Sequence, residues 1–331
     1  MTTKKTLSNV EVAIQSPLLR SKYKYFLKYM KDESLMEIRI NKEKELIQVF
    51  ANGSKKIHHV PELTLTNLKH MSVALAQMNN KQKFNEFNPI LSCKFPGGHR
   101  TQIMGFDSIH SGFAFVMRMN KDVSFPLKAF GVDAKLEKQI INMIKNKKTL
   151  LVSGGTSTGK TTLTNELIQH IPENERLISI EGVQELKIPH VDSINLIYSE
   201  NETSKSGVDA NDLLRASLRL TPDRILVGEI HNENAMTFLN AINTGHEGSI
   251  ATVHANDPEG AVTAVIQKII VGGAGDSAIN VLQKQICEDV YGVIQITKDK
   301  DQKRKAYFEP LESYAKDIGL TKKVQKVIEN Q

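Results

Sequence analysis

At 331 residues the chain is longer than one typical domain, so two cores are expected, each large enough to fold without staples. Two cysteines, Cys93 and Cys287, exclude a four-cysteine zinc site and a disulfide framework. A net charge of +6, no Trp and only 6% aromatic residues argue against a dedicated nucleic-acid binder, which needs a stronger basic field and stacking platforms.

Residues 1–19 lack the apolar core of about 7–15 residues that a secretory signal needs, and there is no run of about 18 apolar residues, so a cytoplasmic location is expected. Leu19, Tyr23, Phe26, Leu27 and Met30 recur at helical spacing, and residues 1–31 carry seven basic side chains against one acidic, Glu11. Such a segment can lie on an anionic inner-membrane face or serve as a domain helix with its lysines in water; the apolar stripe favours packing on the strands that follow. Leu35 to Ile40, Leu46 to Phe50 and Lys55 to Val60 read as strands, with Asn52-Gly53 as a two-residue hairpin turn needing positive φ at both positions. Thr64 to Met78 returns to helix. Ile90 to Met119 reads as further strands broken at Pro96-Gly97-Gly98. This α/β pattern defines an N-terminal domain over 1–120, and the mixed polar, Pro and Gly character of 121–132 a linker.

From 133 to 331 the rhythm changes. Helix Lys135 to Ile144, strand Thr149 to Ser153, helix Thr161 to His170 and strand Leu177 to Glu181 lead on to helix Ala210 to Arg219. Strand Arg224 to Glu229, helix Glu233 to Asn243 and strand Ser249 to His254 complete the alternation of a parallel sheet with crossover helices. The polar loop Ser199 to Gly207 and the glycine run Val271 to Gly275 are expected to be mobile, and the charged stretch Lys298 to Lys305 to be a solvated hairpin tip.

Gly154-Gly155-Thr156-Ser157-Thr158-Gly159-Lys160-Thr161 matches the phosphate-loop pattern G-x-x-x-x-G-K-[ST] in full, after an apolar strand and at the start of a helix. Glycines let successive main-chain N–H groups face one anion, and the helix N-terminus adds partial positive charge. Lys160 is placed to reach the β- and γ-phosphates of ATP, Thr161 to hold Mg²⁺, and Thr162 to follow in the first helical turn.

Glu229 ends the apolar strand begun at Arg224, and Glu181 ends the strand begun at Leu177 with Glu185 one turn beyond. Ligands of open α/β sheets gather at such strand ends. Two carboxylates there suit in-line attack on a phosphate, one holding metal or its water and one orienting the nucleophile; Glu229 is the candidate metal organiser beside Thr161. His246 and His254 flank the strand Ser249 to Val253, and either imidazole can bond the γ-phosphate or its water. On the residues alone, Arg100 and Arg118 read as surface ion-pair side chains.

Four motifs in order, namely the loop Gly154 to Thr161, the acidic box Ile178 to Glu181, the segment from Leu218-Arg219 to Gly228-Glu229 and the histidine box Thr244 to Asn256, resemble the traffic ATPases of type IV secretion and conjugation systems. These belong to the broader secretion-motor superfamily of P-loop ATPases. Asn88-Pro89-Ile90-Leu91-Ser92 with Arg100 and Arg118 resembles the family's nucleotide-contacting segment, so the resemblance covers roughly 84 to 254. It implies a small N-terminal α/β domain plus a RecA-like P-loop ATPase domain, a homohexameric ring, nucleotide between the two domains of a subunit, and phosphate contacts from Arg100 and Arg118. It also implies ATP and Mg²⁺ as cofactors, coupling and channel ATPases of the secretion machine as partners, and peripheral contact with the inner membrane, without direct nucleic-acid binding. The chain departs from the family pattern at Gly182, where Asp is usual, and at His231, where Arg is usual. The alternatives are a pilus-retraction or type II secretion motor, the latter often bearing a tetracysteine zinc element this chain lacks; a nucleic-acid translocase on the same core; and a non-catalytic nucleotide-regulated scaffold.

Overall fold

The computed structural model describes residues 17–120, 125–198, 208–299, 301 and 303–317. Among these, 17–120 form one compact unit and 125–317 another. The loop expected over 199–207 lies outside the described residues.

The first unit is a six-stranded antiparallel sheet backed by helices α1 (Pro17–Leu27) and α2 (Leu65–Met78). Its strands are β1 (Leu35–Ile40), β2 (Glu45–Phe50), β3 (Lys55–His59), β4 (Ile90–Phe95), β5 (His99–Gly105) and β6 (Phe113–Arg118), in the order β3-β2-β1-β6-β5-β4. Period-2 alternation does the sorting: Thr101, Ile103, Phe113, Phe115 and Met117 are buried on one face, whereas Arg100 and Gln102 are exposed on the other. Tyr23, Phe26 and Met30 are buried in the same core. Phe26, Phe95 and Phe115 pack ring against ring with centroids 5.1 to 6.0 Å apart.

The β2–β3 turn departs from expectation. Gly53 has φ +81, but Asn52 is not among the residues with positive φ. The Gly53 amide bonds the Phe50 carbonyl, the Phe50 amide bonds the Ser54 carbonyl, and the Asn52 side chain accepts from the Ser54 amide at 3.0 Å. The connection is therefore a type I turn closed by a left-handed glycine, with Asn52 serving as a side-chain acceptor.

The second unit is built on a seven-stranded sheet of β7 (Leu150–Gly154), β8 (Leu177–Glu181), β9 (Ser193–Ile197), β10 (Arg224–Val227), β11 (Ile250–Val253), β12 (Gly292–Lys298) and β13 (Arg304–Pro310). The order is β13-β12-β7-β11-β10-β8-β9, parallel throughout except for β13, which pairs antiparallel with β12 at the edge. Strands β7, β8, β10 and β11 are buried along their whole length, as the interior of a two-sided sheet requires. One face packs on α3 (Ala134–Lys145) and α4 (Lys160–Ile168) through Ile140, Leu163 and Leu167. The other packs on α5 (Ala210–Ser217), α6 (Ala235–Asn243), α7 (Pro258–Val271) and α8 (Ile279–Asp289), and α9 (Leu311–Asp317) closes the described chain. Leu127, Phe130 and Val132, in the stretch whose composition reads as a linker, are buried in the core with α3. Apolar side chains interleaved with Pro, Gly and Lys carry no period, so a packed segment looks there like a tether.

At the N-terminal end of β10 the guanidinium of Arg224 is fully buried. It donates to both carboxylate oxygens of Glu175, at 2.5 and 2.9 Å, and to the Ile144 and Gly248 carbonyls at 2.8 and 3.4 Å. A Cβ on Gly248, which has φ +78, would lie 2.8 Å from Nη1 of Arg224, so the arginine and the glycine are fitted to each other.

Candidate nucleotide site

Because β7, β8, β10 and β11 are parallel, the loops leaving their C-terminal ends share one edge of the sheet, and these loops carry Lys160, Glu181, Glu229 and His254. The loop after β7 is tightly wound. Ser157 has φ +61 and Gly159, the residue capping α4, has φ +109. A Cβ on Gly154 would stand 2.6 Å from the Ile296 carbonyl, so this position tolerates only glycine. Thr158 Oγ1 donates back to the Gly155 carbonyl at 2.9 Å, Thr156 and Ser157 are exposed, and Thr161 and Thr162 are half-buried in the first turn of α4.

Lys160 is 8% exposed, and its ammonium donates to the Gly154 and Gly155 carbonyls at 2.9 and 3.2 Å. Nδ1 of His254 lies 3.0 Å from the same nitrogen, and Nε2 of His254 lies 3.3 Å from Oε2 of Glu229. Lysine, histidine and carboxylate thus form one chain of contacts across the ends of β7, β11 and β10. Burial pushes the Glu229 carboxyl up, but the hydrogen bond and charge of His254, with the charges of His231 and Lys160, outweigh it and hold the group below the usual Glu range. His231 meets Tyr198 edge-on with centroids 6.5 Å apart.

Glu181 is buried, and its Oε1 accepts from the Glu185 and Leu186 amides at 2.8 Å each, so the side chain shapes the turn that follows β8. Glu185 enters through its main chain: Asn165 of α4 donates to the Glu185 carbonyl at 3.0 Å and accepts from the Lys187 amide at 2.8 Å. Glu181 also touches the other acidic strand end, since a Cβ on Gly228 would lie 2.9 Å from Glu181 Cγ.

His246 is placed differently from expectation. It precedes β11, at the opposite end of that strand from His254, and its Nδ1 lies 3.1 Å from the Ala241 carbonyl at the end of α6. Flanking a strand puts two residues at opposite edges of a sheet, and only His254 is on the loop edge. Within this unit His246 caps a helix and does not reach the phosphate loop.

In the first unit, Arg100 and Arg118 are cross-strand partners on the open face of the sheet. Lys94 lies opposite Arg100 on β4, and Glu37 opposite Arg118 on β1, giving a row of three basic side chains ended by one carboxylate. Like charges directly opposite each other on a sheet repel, and an anion among them would be favoured.

Two contributors were not anticipated. Asn234, fully buried, donates to the Glu229 carbonyl at 3.2 Å and accepts from the His231 amide at 2.9 Å, which fixes the turn carrying Glu229. Arg304, in the stretch expected to be a solvated tip, donates to the Thr158 carbonyl of the loop at 2.9 Å. For Asn234 the local signal is its short spacing to Glu229 and His231 in a turn; for Arg304 no local signal exists.

Residues 28–310 match the family described as Type II/IV secretion system protein. The chain belongs to that family, on the branch of the type IV secretion traffic ATPases. It is 33% identical over 288 residues to the type IV secretion system protein VirB11 of Bartonella quintana, covering 76% of this chain and 79% of that protein. Two solved secretion ATPases share the fold. The Legionella pneumophila ATPase DotB superposes with a TM-score of 0.63 at 17% identity over 95% of this chain and 84% of its own. The pilus retraction motor PilT, solved with bound ADP, has a TM-score of 0.63 at 18% identity over 92% and 89%. The family's fold, an N-terminal α/β domain followed by a RecA-like ATPase domain, is therefore the fold of this chain. Among the described residues no helix is long and apolar enough to cross a membrane.

Proposed function

We propose that this chain hydrolyses ATP and that the hydrolysis drives transfer of substrate or assembly of pilus in a bacterial type IV secretion or conjugation system. The observation that carries the reading is the contact chain Lys160–His254–Glu229 at the mouth of a glycine-constrained phosphate loop. Main-chain amides of Gly154 to Thr161 and the Lys160 ammonium hold the β- and γ-phosphates. Glu229, kept ionised well below neutral pH, accepts a proton from the attacking water as the new P–O bond forms; the bond to the β–γ bridging oxygen breaks and leaves ADP and phosphate. His254 senses the same water and the γ-phosphate. Glu181 holds the turn beside Glu229 and completes the acidic pair.

Mg²⁺ fits this donor set. The described residues contain no cluster of three or more His, Cys, Asp and Glu suited to a metal, and Mg²⁺ asks for none, since it takes one or two protein oxygens with phosphate and water. Thr161 would hold it, with Glu229 reaching it through metal-bound water, and it would neutralise charge on the phosphates.

Arg100 and Arg118 supply phosphate contacts from the first unit, and the active assembly is a homohexamer working with the channel and coupling ATPases at the cytoplasmic face of the inner membrane. These assignments rest on membership of the family and, for the arginines, on the basic row across β4, β5 and β6. The transfer role is favoured over pilus retraction because the VirB11 relative is 33% identical, whereas PilT shares 18% and supports the fold alone.

Phosphate release from the purified chain with ATP and Mg²⁺ tests the reading. Wild type should turn over and Lys160→Ala should fall to background while keeping its circular dichroism. Equal rates in the two proteins would remove the assignment of this loop to ATP.

A further inference from the structure

The phosphate loop is braced from outside by the edge hairpin β12–β13. At one end of the loop, Gly154 is register-paired with Ile296 of β12 and has no room for a side chain beside it. At the other end, a Cβ on Gly159 would lie 3.0 Å from Nε and 3.4 Å from Cδ of Arg304, the first residue of β13. Arg304 faces the loop because it shares a strand face with Ala306 and Phe308, which pack into the core on the α4 side of the sheet.

The hydrogen bond from Arg304 Nε goes to the Thr158 carbonyl. That carbonyl and the Gly159 N–H are the two ends of one planar trans peptide group, so fixing the oxygen toward Arg304 directs the N–H to the opposite side, away from the hairpin. A cationic donor on the oxygen also withdraws electrons from the amide and makes its N–H a stronger donor. The Thr158 hydroxyl and amide bond the Gly155 carbonyl and the Gly159 carbonyl accepts from the Leu163 amide, so it is the Arg304 bond that acts on the Thr158 carbonyl itself.

We infer that Arg304 is a positioning residue for the nucleotide: it sets and polarises the 158–159 peptide so that the Gly159 amide meets the phosphates. This deepens the ATPase reading and rests on it. Arg304 touches no reacting atom, so it acts on nucleotide affinity and leaves the chemical step alone.

The test compares full-length wild type, Arg304→Met and Arg304→Lys in fluorescent ADP titrations with Mg²⁺ and in steady-state ATP hydrolysis. Methionine keeps an apolar stem against Gly159 but removes the donor; lysine restores a cationic donor. Loss of one charge-assisted hydrogen bond predicts a Kd and KM about tenfold higher for Arg304→Met with kcat within about twofold, and recovery of most of that loss in Arg304→Lys. Melting without nucleotide should be the same in all three, which separates positioning from folding. Wild-type affinity in Arg304→Met would overturn the inference, as would a lysine variant no better than methionine. If Arg304→Met unfolds, the decision falls to the folded lysine variant, which must bind ADP within about threefold of wild type for the inference to stand. A wild-type chain that binds no nucleotide would overturn this inference together with the ATPase reading, whereas the failures above leave that reading intact.

Discussion

The ammonium of Lys160 stands 3.0 Å from Nδ1 and 3.5 Å from Nε2 of His254, so the imidazole sits between the loop lysine and the Glu229 carboxylate. Nε2 faces Oε2 of Glu229 at 3.3 Å, which makes His254 a donor to the carboxylate. An arriving γ-phosphate competes for Lys160 with three acceptors, the Gly154 and Gly155 carbonyls and His254. Phosphate binding at the lysine and the orientation of Glu229 are thereby linked through one ring.

Removing His254 should shift the pH profile of hydrolysis. His254 is among the groups that hold Glu229 below its usual range against the upward push of burial. In His254→Ala the Glu229 carboxyl rises, so the acid limb of kcat/KM moves to higher pH, and kcat at neutral pH falls about tenfold or more. Glu229→Gln should lower kcat by about 10²- to 10³-fold with ADP affinity nearly unchanged. Stopped-flow phosphate release across pH reads both; an unmoved acid limb in His254→Ala would separate the histidine from Glu229.

Substitution in the basic row should affect binding more than stability. Arg118→Ala removes a like charge opposite Arg100 together with an unlike charge opposite Glu37, so the nucleotide-free protein should melt close to wild type. The same change should weaken binding of an ATP analogue about five- to tenfold, as loss of one charged phosphate contact implies. Unchanged affinity in both Arg100→Ala and Arg118→Ala would mean that the row serves another anion.

The buried pair Arg224–Glu175 predicts a large loss on breaking either side. Glu175→Ala leaves a guanidinium at 0% exposure with its charge uncompensated, at a cost of about 3–5 kcal/mol. Replacing both residues by apolar ones of similar volume should recover much of that loss. Urea unfolding of the single and double variants measures the difference.

Acid should destabilise the first unit through His99. Burial lowers this imidazole from 6.5 to about 4, and its Nδ1 accepts from the Asn120 amide at 3.0 Å, so protonation sets one N–H against another. The folded pKa lies below the unfolded one, hence the unfolded chain takes up the proton first. Stability is full above about pH 6.5, falls between about 6.5 and 4, and levels off below, with a total loss of about 3 kcal/mol. His99→Gln should flatten that slope in denaturant titrations at stepped pH.

Some of this molecule is written in short windows of sequence and some is not. Gly154 to Thr161 is contiguous, and its chemistry is dictated by glycine conformation and one lysine, so it can be read from eight residues. The largely apolar, buried strands that lead to Glu181 and Glu229 are equally local, because a strand buried on both faces shows a continuous apolar run. β9 escaped notice because its residues are half-exposed at a sheet edge and carry no strong alternation. The placing of His246 needed the direction of β11, which no single strand reveals. Arg304 meets Thr158 across a separation of 146 positions, and nothing near either residue announces the other.

Gly228 and Glu181 are packed so closely that a single methyl on the first would collide with the second's Cγ. The two acidic strand ends therefore cannot drift apart independently, and damage at one is inherited by the other. In Gly228→Ala the added methyl must push the Glu181 side chain aside, so the turn that Glu181 holds through the Glu185 and Leu186 amides should loosen together with the loss of hydrolysis.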